Sequence, residues 1–289
     1  MKDFPVSVRV VGAGSQPVED EELQYLAMPR EMTTFRMPIV PECVAATALT
    51  AARDALAALL RDIETWDIDS GLPGPRLALD GIAADTLEII NQMLGEGEVS
   101  IRIDGAQACL IQESVFTGLW RVVVHGGADV AAADWIEAAT MPRIVGESAQ
   151  RAAVARIADV PLPPDAMNSP ALIAEIAAQM RTRRPDGAAH VINLTLFPMT
   201  PEDHQVLESV LPVGPVAIMS RGFGNCRITS TGARDVWRVQ YFNNMNTLIL
   251  NTIEIVAMPE VALAAAEDLA DTRTRLAELI DWMSESCTP

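Results

Sequence analysis

The sequence predicts an α+β protein built as a tandem repeat of two similar units, each a mostly antiparallel sheet packed against helices on one face in a two-layer sandwich. Three observations carry this reading. The chain matches itself without gaps at an offset of 117 residues, apolar residues recur at helical spacing early in each copy, and segments of period two follow them.

The self-match is densest from Leu94 to Pro142 against Leu211 to Pro259, where 14 of 49 positions are identical. Unrelated sequence would give about 3 or 4. Among the shared pairs are Gly97/Gly214, Val99/Val216, Ile101/Ile218, Gly105/Gly222, Cys109/Cys226, Trp120/Trp237, Arg121/Arg238 and Glu137/Glu254. The same offset sets Leu77 and Leu79 on Leu194 and Leu196, and Leu56, Leu59 and Ile63 on Ile173, Ile176 and Met180.

Within one copy, Leu49, Leu56, Leu59, Leu60 and Ile63 form one stripe at helical spacing between Cys43 and Trp66, with Arg53, Arg61 and Asp62 off it. The break from Gly71 to Pro75 leads to a short strand at Leu77 to Leu79. A second helix, Asp85 to Leu94, ends at Gly95. Period two then takes over: Val99, Ile101 and Ile103 alternate with polar neighbours, Cys109 shares a parity with Ile111, and Trp120, Val122 and Val124 share a strand face.

Ala131 to Ala133 favour helix intrinsically, but the equivalent TLILNTIEIV at 247–256 is β-branched and alternating, so both are assigned to strand. The repeated Met-Pro pairs are expected to open the last helix of each copy with proline at its first position. In copy two, Leu263, Leu269, Leu276, Leu279, Ile280 and Met283 are its candidate buried face. Four prolines in PLPPDAMNSP, 161–170, mark the boundary. The domains are therefore an extended N-terminal arm at 1–40, unit 1 at 41–158 and unit 2 at 164–289.

A formal charge of −18 opposes both a phosphate backbone and an anionic lipid surface, which excludes nucleic acid and membrane insertion from the expected partners. The beginning MKDFPVSVRVVGAGSQP lacks the apolar run of a secretory signal, and no stretch has 18 unbroken apolar residues, so a cytoplasmic location is expected. Cys43, Cys109, Cys226 and Cys287 form no CxxC or CxxH pair. His125, His190 and His204 have no carboxylate or cysteine at a spacing that makes a preformed metal or nucleophile pair, and HExxH, GxSxG and GxxxxGK[ST] are absent. No catalytic residue and no cofactor are expected.

Two readings of Cys109 and Cys226 stand side by side. As equivalent thiolates they could hold iron or a cluster between the two units. As residues in phase with Ile111 and Ile228 they point into the core, where free cysteine is commonly found, and this reading is favoured. Gly97/Gly214 and Gly105/Gly222 read as turn residues that need positive φ or close backbone approach. Arg121 and Arg238 lie opposite Trp120 and Trp237 on their strands. Glu137 and Glu254 invite ion pairs with them, but a tight turn at Asn243 to Asn246 would set Arg238 opposite Asn251 instead.

The least ordinary stretch runs from Arg221 to Asn246. GFGNCRIT, DVWRVQYFNNMN and MPEVALAAAEDLADTRTRL resemble the C-terminal region of the HupH/HyaF hydrogenase expression proteins, and GAGSQPVEDEELQYLAMP resembles their N-terminal stretch. The resemblance covers most of the chain. It implies an accessory, chaperone-like role in maturing a nickel-iron uptake hydrogenase, with the immature small, iron-sulfur-bearing subunit or its precursor and other maturation proteins as partners; a homodimer stays open. It transfers no catalytic residue.

The alternative is an iron or iron-sulfur carrier, or small redox protein, using Cys109 and Cys226. For the accessory role, the contact region read from the residues is Arg221, Gly222, Phe223, Gly224 and Asn225, with Arg238 on a bare sheet face. Copy one manages the same turn, Asp104 to Ala108, with one glycine, so Phe223 and the second glycine are additions that fit a binding anchor.

Overall fold

The computed structural model describes residues 46–127, 130–157, 162–185, 187–222 and 224–286. The expected N-terminal arm and Phe223 lie outside them. Copy one runs α1 (Ala46–Thr65), β1 (Arg76–Ala78), α2 (Ala84–Leu94), β2 (Val99–Ile103), β3 (Cys109–Glu113), β4 (Leu119–Val124), β5 (Ala133–Ala138) and α3 (Arg143–Ala152). Copy two repeats it as α4 (Ser169–Thr182), β6 (His190–Asn193), α5 (Pro201–Val210), β7 (Val213–Ser220), β8 (Asn225–Thr231), β9 (Val236–Phe242), β10 (Leu248–Ile255) and α6 (Ala266–Ser286). The α+β class and the two similar units hold, and Trp120 and Trp237 sit on the equivalent strands β4 and β9, both fully buried.

The two copies share one ten-stranded sheet, in the order β1-β5-β4-β3-β2-β7-β8-β9-β10-β6, with every neighbouring pair antiparallel. The seam is β2 against β7, where Ile101 pairs with Ile218. These two residues are each other's equivalents in the repeat, so a pseudo-two-fold axis passes between them. Val99 faces Ser220 and Ile103 faces Val216, as that symmetry requires. Each copy thus covers the edge strand that the other would leave unpaired.

Strand parity divides the core between the faces. Ile101, Ile103, Ile111, Trp120, Val122, Val216, Ile218, Ile228, Trp237 and Val239 form one cluster under Ile144, Val145 and Ala149 of α3. On the other face, α1 and α2 cover the copy-one end with Leu56, Leu59, Ile63, Ile90 and Met93, while α4 and α5 cover the copy-two end with Leu172, Ile176, Val206 and Leu207. The placement of α3 on the face away from α1 and α2 is a detail that periodicity does not carry.

The last helices cross between copies. α3 packs on β7, and Val154 after it bridges to Ala233. In return α6 packs on α1, burying Leu276 and Met283 in the copy-one cluster. Thr272 Oγ1 donates to the Thr117 carbonyl at 2.8 Å, and Arg273 to that of Trp66 at 3.0 Å. This crossing explains a difference between equivalent turns. Gly118 and Asp235 both have positive φ, 82° and 59°. A Cβ on Gly118 would collide with Leu269 of α6, so only glycine fits there. Asp235 instead ion-pairs at 2.8 Å with Arg183, the C-cap of α4.

Several expectations are corrected. The first strand is displaced by two residues between copies: Leu77 pairs with Ile136 and Ile192 with Ile253, so Leu79 corresponds to Leu194 and Leu196 is exposed. Pro142 and Pro259 precede the helical residues as caps, and Pro259 opens only a short 3-10 turn, Glu260–Ala262, before α6 starts at Ala266. Leu263 therefore lies outside the helix and is partly exposed, while Leu269, Leu276 and Met283 are buried.

The prolyl segment before α4 is fastened by Asp203 of α5. Its carboxylate accepts the amides of Met167, Asn168 and Ser169 and the Ser169 hydroxyl, and it completes a capping box with Thr200. Burial works to raise its pKa, but these donors outweigh it and hold the carboxyl down at about 2. If the seam binds the copies into one folding unit, Ile218→Ala should lower stability by about 2–5 kcal/mol. Denaturant melts followed by far-ultraviolet circular dichroism and by tryptophan fluorescence should then shift together. A shift in only one signal would contradict a common unit.

Candidate functional site

The turn between β7 and β8 sits at the seam because β7 lies beside β2. The Arg221 amide donates to the Glu98 carbonyl at 3.1 Å, and a Cβ on Gly222 would collide with the Glu98 carboxylate. A side chain at 222 would therefore displace that exposed carboxylate. The positive φ of this turn falls on Gly224, at 91°, whereas copy one places it on Gly105, at 112°. Gly222 and Gly224 are exposed, and Arg221 and Asn225 half-buried.

Within reach of the Glu98 charge lies a carboxylate that motif reading missed. Glu113 at the end of β3 is 5% exposed and accepts the Gly118 amide at 3.1 Å. Burial pushes its pKa up to about 7; the Gly118 amide opposes this, and the charges of Glu98 and Asp268 add to it. The signal was available, since Glu113 has the parity of Cys109 and Ile111. Its counterpart Ser230 instead bonds its hydroxyl to the Val216 amide at 3.0 Å.

Arg238 is not part of the turn. It lies half-buried on the face covered by α4 and α5, beside His204, Leu207 and Glu208, and its Nε donates to Asn251 Oδ1 at 3.2 Å. The backbone partner of Arg238 is Ile253, not Asn251, because the hairpin closes at Phe242 and Leu248, one residue later than a turn at Asn243 to Asn246, and a bulge between Leu248 and Leu250 adds one more. In copy one Arg121 holds the equivalent Asp134 with two nitrogens, at 2.7 and 3.2 Å. The repeated glutamates are on the opposite face: Glu137 pairs across with Trp120, takes the Trp135 indole N–H at 2.9 Å and meets Arg76 at 2.9 Å.

Cys109 and Cys226 are both 1% exposed, and burial pushes their thiols up to about 11 and about 12. His190 meets Glu175 at 2.7 Å, and His125 is exposed. Among the described residues, no group of three or more His, Cys, Asp or Glu side chains could hold a metal ion, and no helix is long and apolar enough to cross a membrane.

Next to the turn stands the β9–β10 hairpin, since Asn225 pairs with Phe242. Its tip exposes Met245, Leu248 and Ile249. The available signal was an uncharged run of 15 residues, Val239 to Ile253, in a strongly charged chain.

Two similar α+β units fused edge to edge, with thiols buried and a glycine-rich turn exposed at their seam, define the class of this protein. The profile of the HupH hydrogenase expression protein C-terminal conserved region matches the chain twice, at residues 49–160 and 166–283, and the chain belongs to that family. It is 43% identical over 284 residues to the hydrogenase expression/formation protein HoxQ of Cupriavidus necator, covering 98% of this chain and 99% of that one. It is 41% identical to HupH of Rhodobacter capsulatus (93% and 94% covered) and 34% identical to the hydrogenase-1 operon protein HyaF of Escherichia coli (96% and 96%). A solved structure, the hydrogenase expression protein HupH of Thiobacillus denitrificans, aligns with a TM-score of 0.36 and 27% identity over 38% of this chain and 92% of that one.

Two outcomes follow from the buried groups. Glu113 has a folded pKa above its ordinary 4.5, so the stability it allows is full below about 4.5 and is lost as pH rises through about 7. Glu113→Gln should therefore raise stability at pH 8 by about 1–3 kcal/mol and leave it nearly unchanged at pH 4.5; equal effects at both pH values would contradict a buried neutral carboxyl. For the cysteines, peptide-resolved alkylation at pH 8 should leave Cys109 and Cys226 unlabelled in the native protein and label both in denaturant. Rapid native labelling of either would refute their burial.

Proposed function

We propose that this protein is a non-catalytic, cytoplasmic accessory protein for maturation of a nickel-iron uptake hydrogenase, and that it binds the immature small subunit or its precursor. The observation that carries the reading is similarity along nearly the whole chain to relatives named as hydrogenase expression/formation proteins. The turn Arg221, Gly222, Phe223, Gly224 and Asn225 is the proposed contact. Its support is that Gly222 and Gly224 are exposed and that copy one builds the equivalent turn, Asp104 to Ala108, without an aromatic residue. Arg238, half-buried beside α5, is proposed to act by holding Asn251 and so ordering the β9–β10 strands. An iron carrier using Cys109 and Cys226 would need accessible thiolates, and burial of both thiols with raised pKa works against that.

Deleting the gene in a hydrogenase-expressing cell should abolish or sharply reduce hydrogen uptake. The tagged protein should recover the unprocessed small subunit, and Phe223→Ala should reduce that recovery while leaving the melting temperature unchanged. Recovery of the large subunit alone, or normal uptake in the deletion strain, would sink the reading. Stoichiometric iron in anaerobically purified protein, lost on Cys226→Ala, would establish the carrier instead.

A further inference from the structure

The repeat supplies an internal control: the same strands are built twice, so whatever one copy carries beyond the other is not demanded by the fold. The β4–β5 connection of copy one contains Gly126, Gly127, Ala131 and Ala132. At the equivalent positions the β9–β10 hairpin has Asn243, Asn244, Leu248 and Ile249, with Met245 between them. Met245 is 85% exposed and Ile249 57%. Such a cluster of large apolar side chains on a projecting tip costs solubility unless it is covered in use.

The tip is held in shape. The Asn243 side chain accepts the amides of Met245 and Thr247, each at 2.9 Å, the Asn243 amide donates to the Thr247 carbonyl at 3.0 Å, and Asn246 takes a φ of 60°. At its base the Arg227 guanidinium lies over the Phe242 ring, 5.7 Å from the centroid. Among the described residues the outer edge of β10 also lacks a paired strand before Thr252, with the 3-10 turn Leu194–Leu196 packed beside Asn251. Among the described residues β6 pairs only with Thr252–Ile255, and the Asn251 amide is taken by Thr195, so Leu248 to Leu250 have a strand on the β9 side alone.

Charge points to the occupant. From Leu211 to Ile253 there are four arginines and one aspartate, a net charge of +3 in a chain whose total is −18, so the remainder carries −21. Two of those arginines, Arg221 and Arg227, belong to the turn and strand beside the hairpin, and Arg238 lies on its β9 strand, half-buried beside α5. A second copy would bring its own −18 to this region, and an anionic membrane would be repelled by the rest of the chain.

We propose that the β9–β10 hairpin is a docking edge for another polypeptide, which adds an extended apolar segment along Leu248 to Leu250, packs it on Met245 and Ile249, and sets acidic flanking residues against the arginines around Arg221. This deepens the accessory-protein reading and rests on it only for the identity of the partner.

The test uses the full chain and fluorescein-labelled peptides of about twelve residues, read by fluorescence anisotropy. One has an apolar β-branched centre with glutamate flanks, one the same centre with lysine flanks, and one a serine-glutamine centre with glutamate flanks. The first should bind, more weakly as salt is added, and the other two at least about tenfold more weakly. The double variant Met245→Ser, Ile249→Ser should lose at least about tenfold in affinity for the first peptide, while Ala131→Ser, Ala132→Ser in copy one should bind as the parent does.

Equal binding of all three peptides, or full affinity in the Met245/Ile249 variant, would overturn the proposal. So would a doubled sedimentation mass, or binding to phosphatidylserine vesicles, that the same variant abolishes. If the peptides behave as expected but the Met245/Ile249 variant supports normal hydrogen uptake, the docking edge stands and its hydrogenase partner falls. Loss of uptake on gene deletion with no peptide binding leaves the accessory role standing and removes the docking edge.

Discussion

The pairing of β2 with β7 is the constraint on which the rest of the molecule depends. Ile101 and Ile218 meet at the seam as equivalents of each other, which turns two five-stranded sheets into one and hides the two strand edges most open to mispairing. Because the pair is antiparallel, the β2–β3 and β7–β8 turns project from opposite ends of the seam. The β7–β8 turn therefore meets Glu98 of copy one on one side and Phe242 of its own copy on the other. A single backbone register decides where the candidate contact region sits and which charges surround it.

Crossing of the last helices strengthens that joint and makes it unequal. α6 closes over the copy-one layer, and its Leu269 occupies the space a side chain at position 118 would need. The equivalent turn in copy two is free to hold Asp235 and its ion pair with Arg183. Near-identical strands are thus given different surroundings. Copy one places Asp104, a one-glycine turn and small residues where copy two carries Arg221, a two-glycine turn and an apolar hairpin, so the proposed contact falls on the second copy. Buried polar groups follow the same division: burial raises the Glu113 pKa to about 7 in one copy, while Ser230 satisfies a backbone amide in the other.

Much of this was legible because the sequence repeats. The repeat assigned the alanine-rich β5 to strand against its intrinsic propensity, since its partner β10 is unambiguous. Parity with isoleucine placed Cys109 and Cys226 in the core, where both are found. Three features were not legible, each for a physical reason. Union of the two sheets depends on edge-to-edge pairing, which leaves no trace in periodicity because β2 and β7 alternate alike whether they lie at an edge or at the centre. The crossing of α6 depends on a chain path set by the short 3-10 turn after Pro259, which an apolar stripe does not encode. The Arg238 register depends on a hairpin loop one residue longer than a turn at Asn243 to Asn246 and on a bulge near Leu248, which together moved its backbone partner from Asn251 to Ile253.

The central claim is that two copies behave as one cooperative body because they share a strand pair, and native-state hydrogen exchange of the β2 and β7 amides tests it most directly. The account predicts that Ile101 and Ile218 exchange only through global unfolding, with matching free energies and matching sensitivity to denaturant. Exchange of β7 through a separate, lower-energy opening while β2 stays protected would show the copies to be independent domains in contact, and would contradict the account.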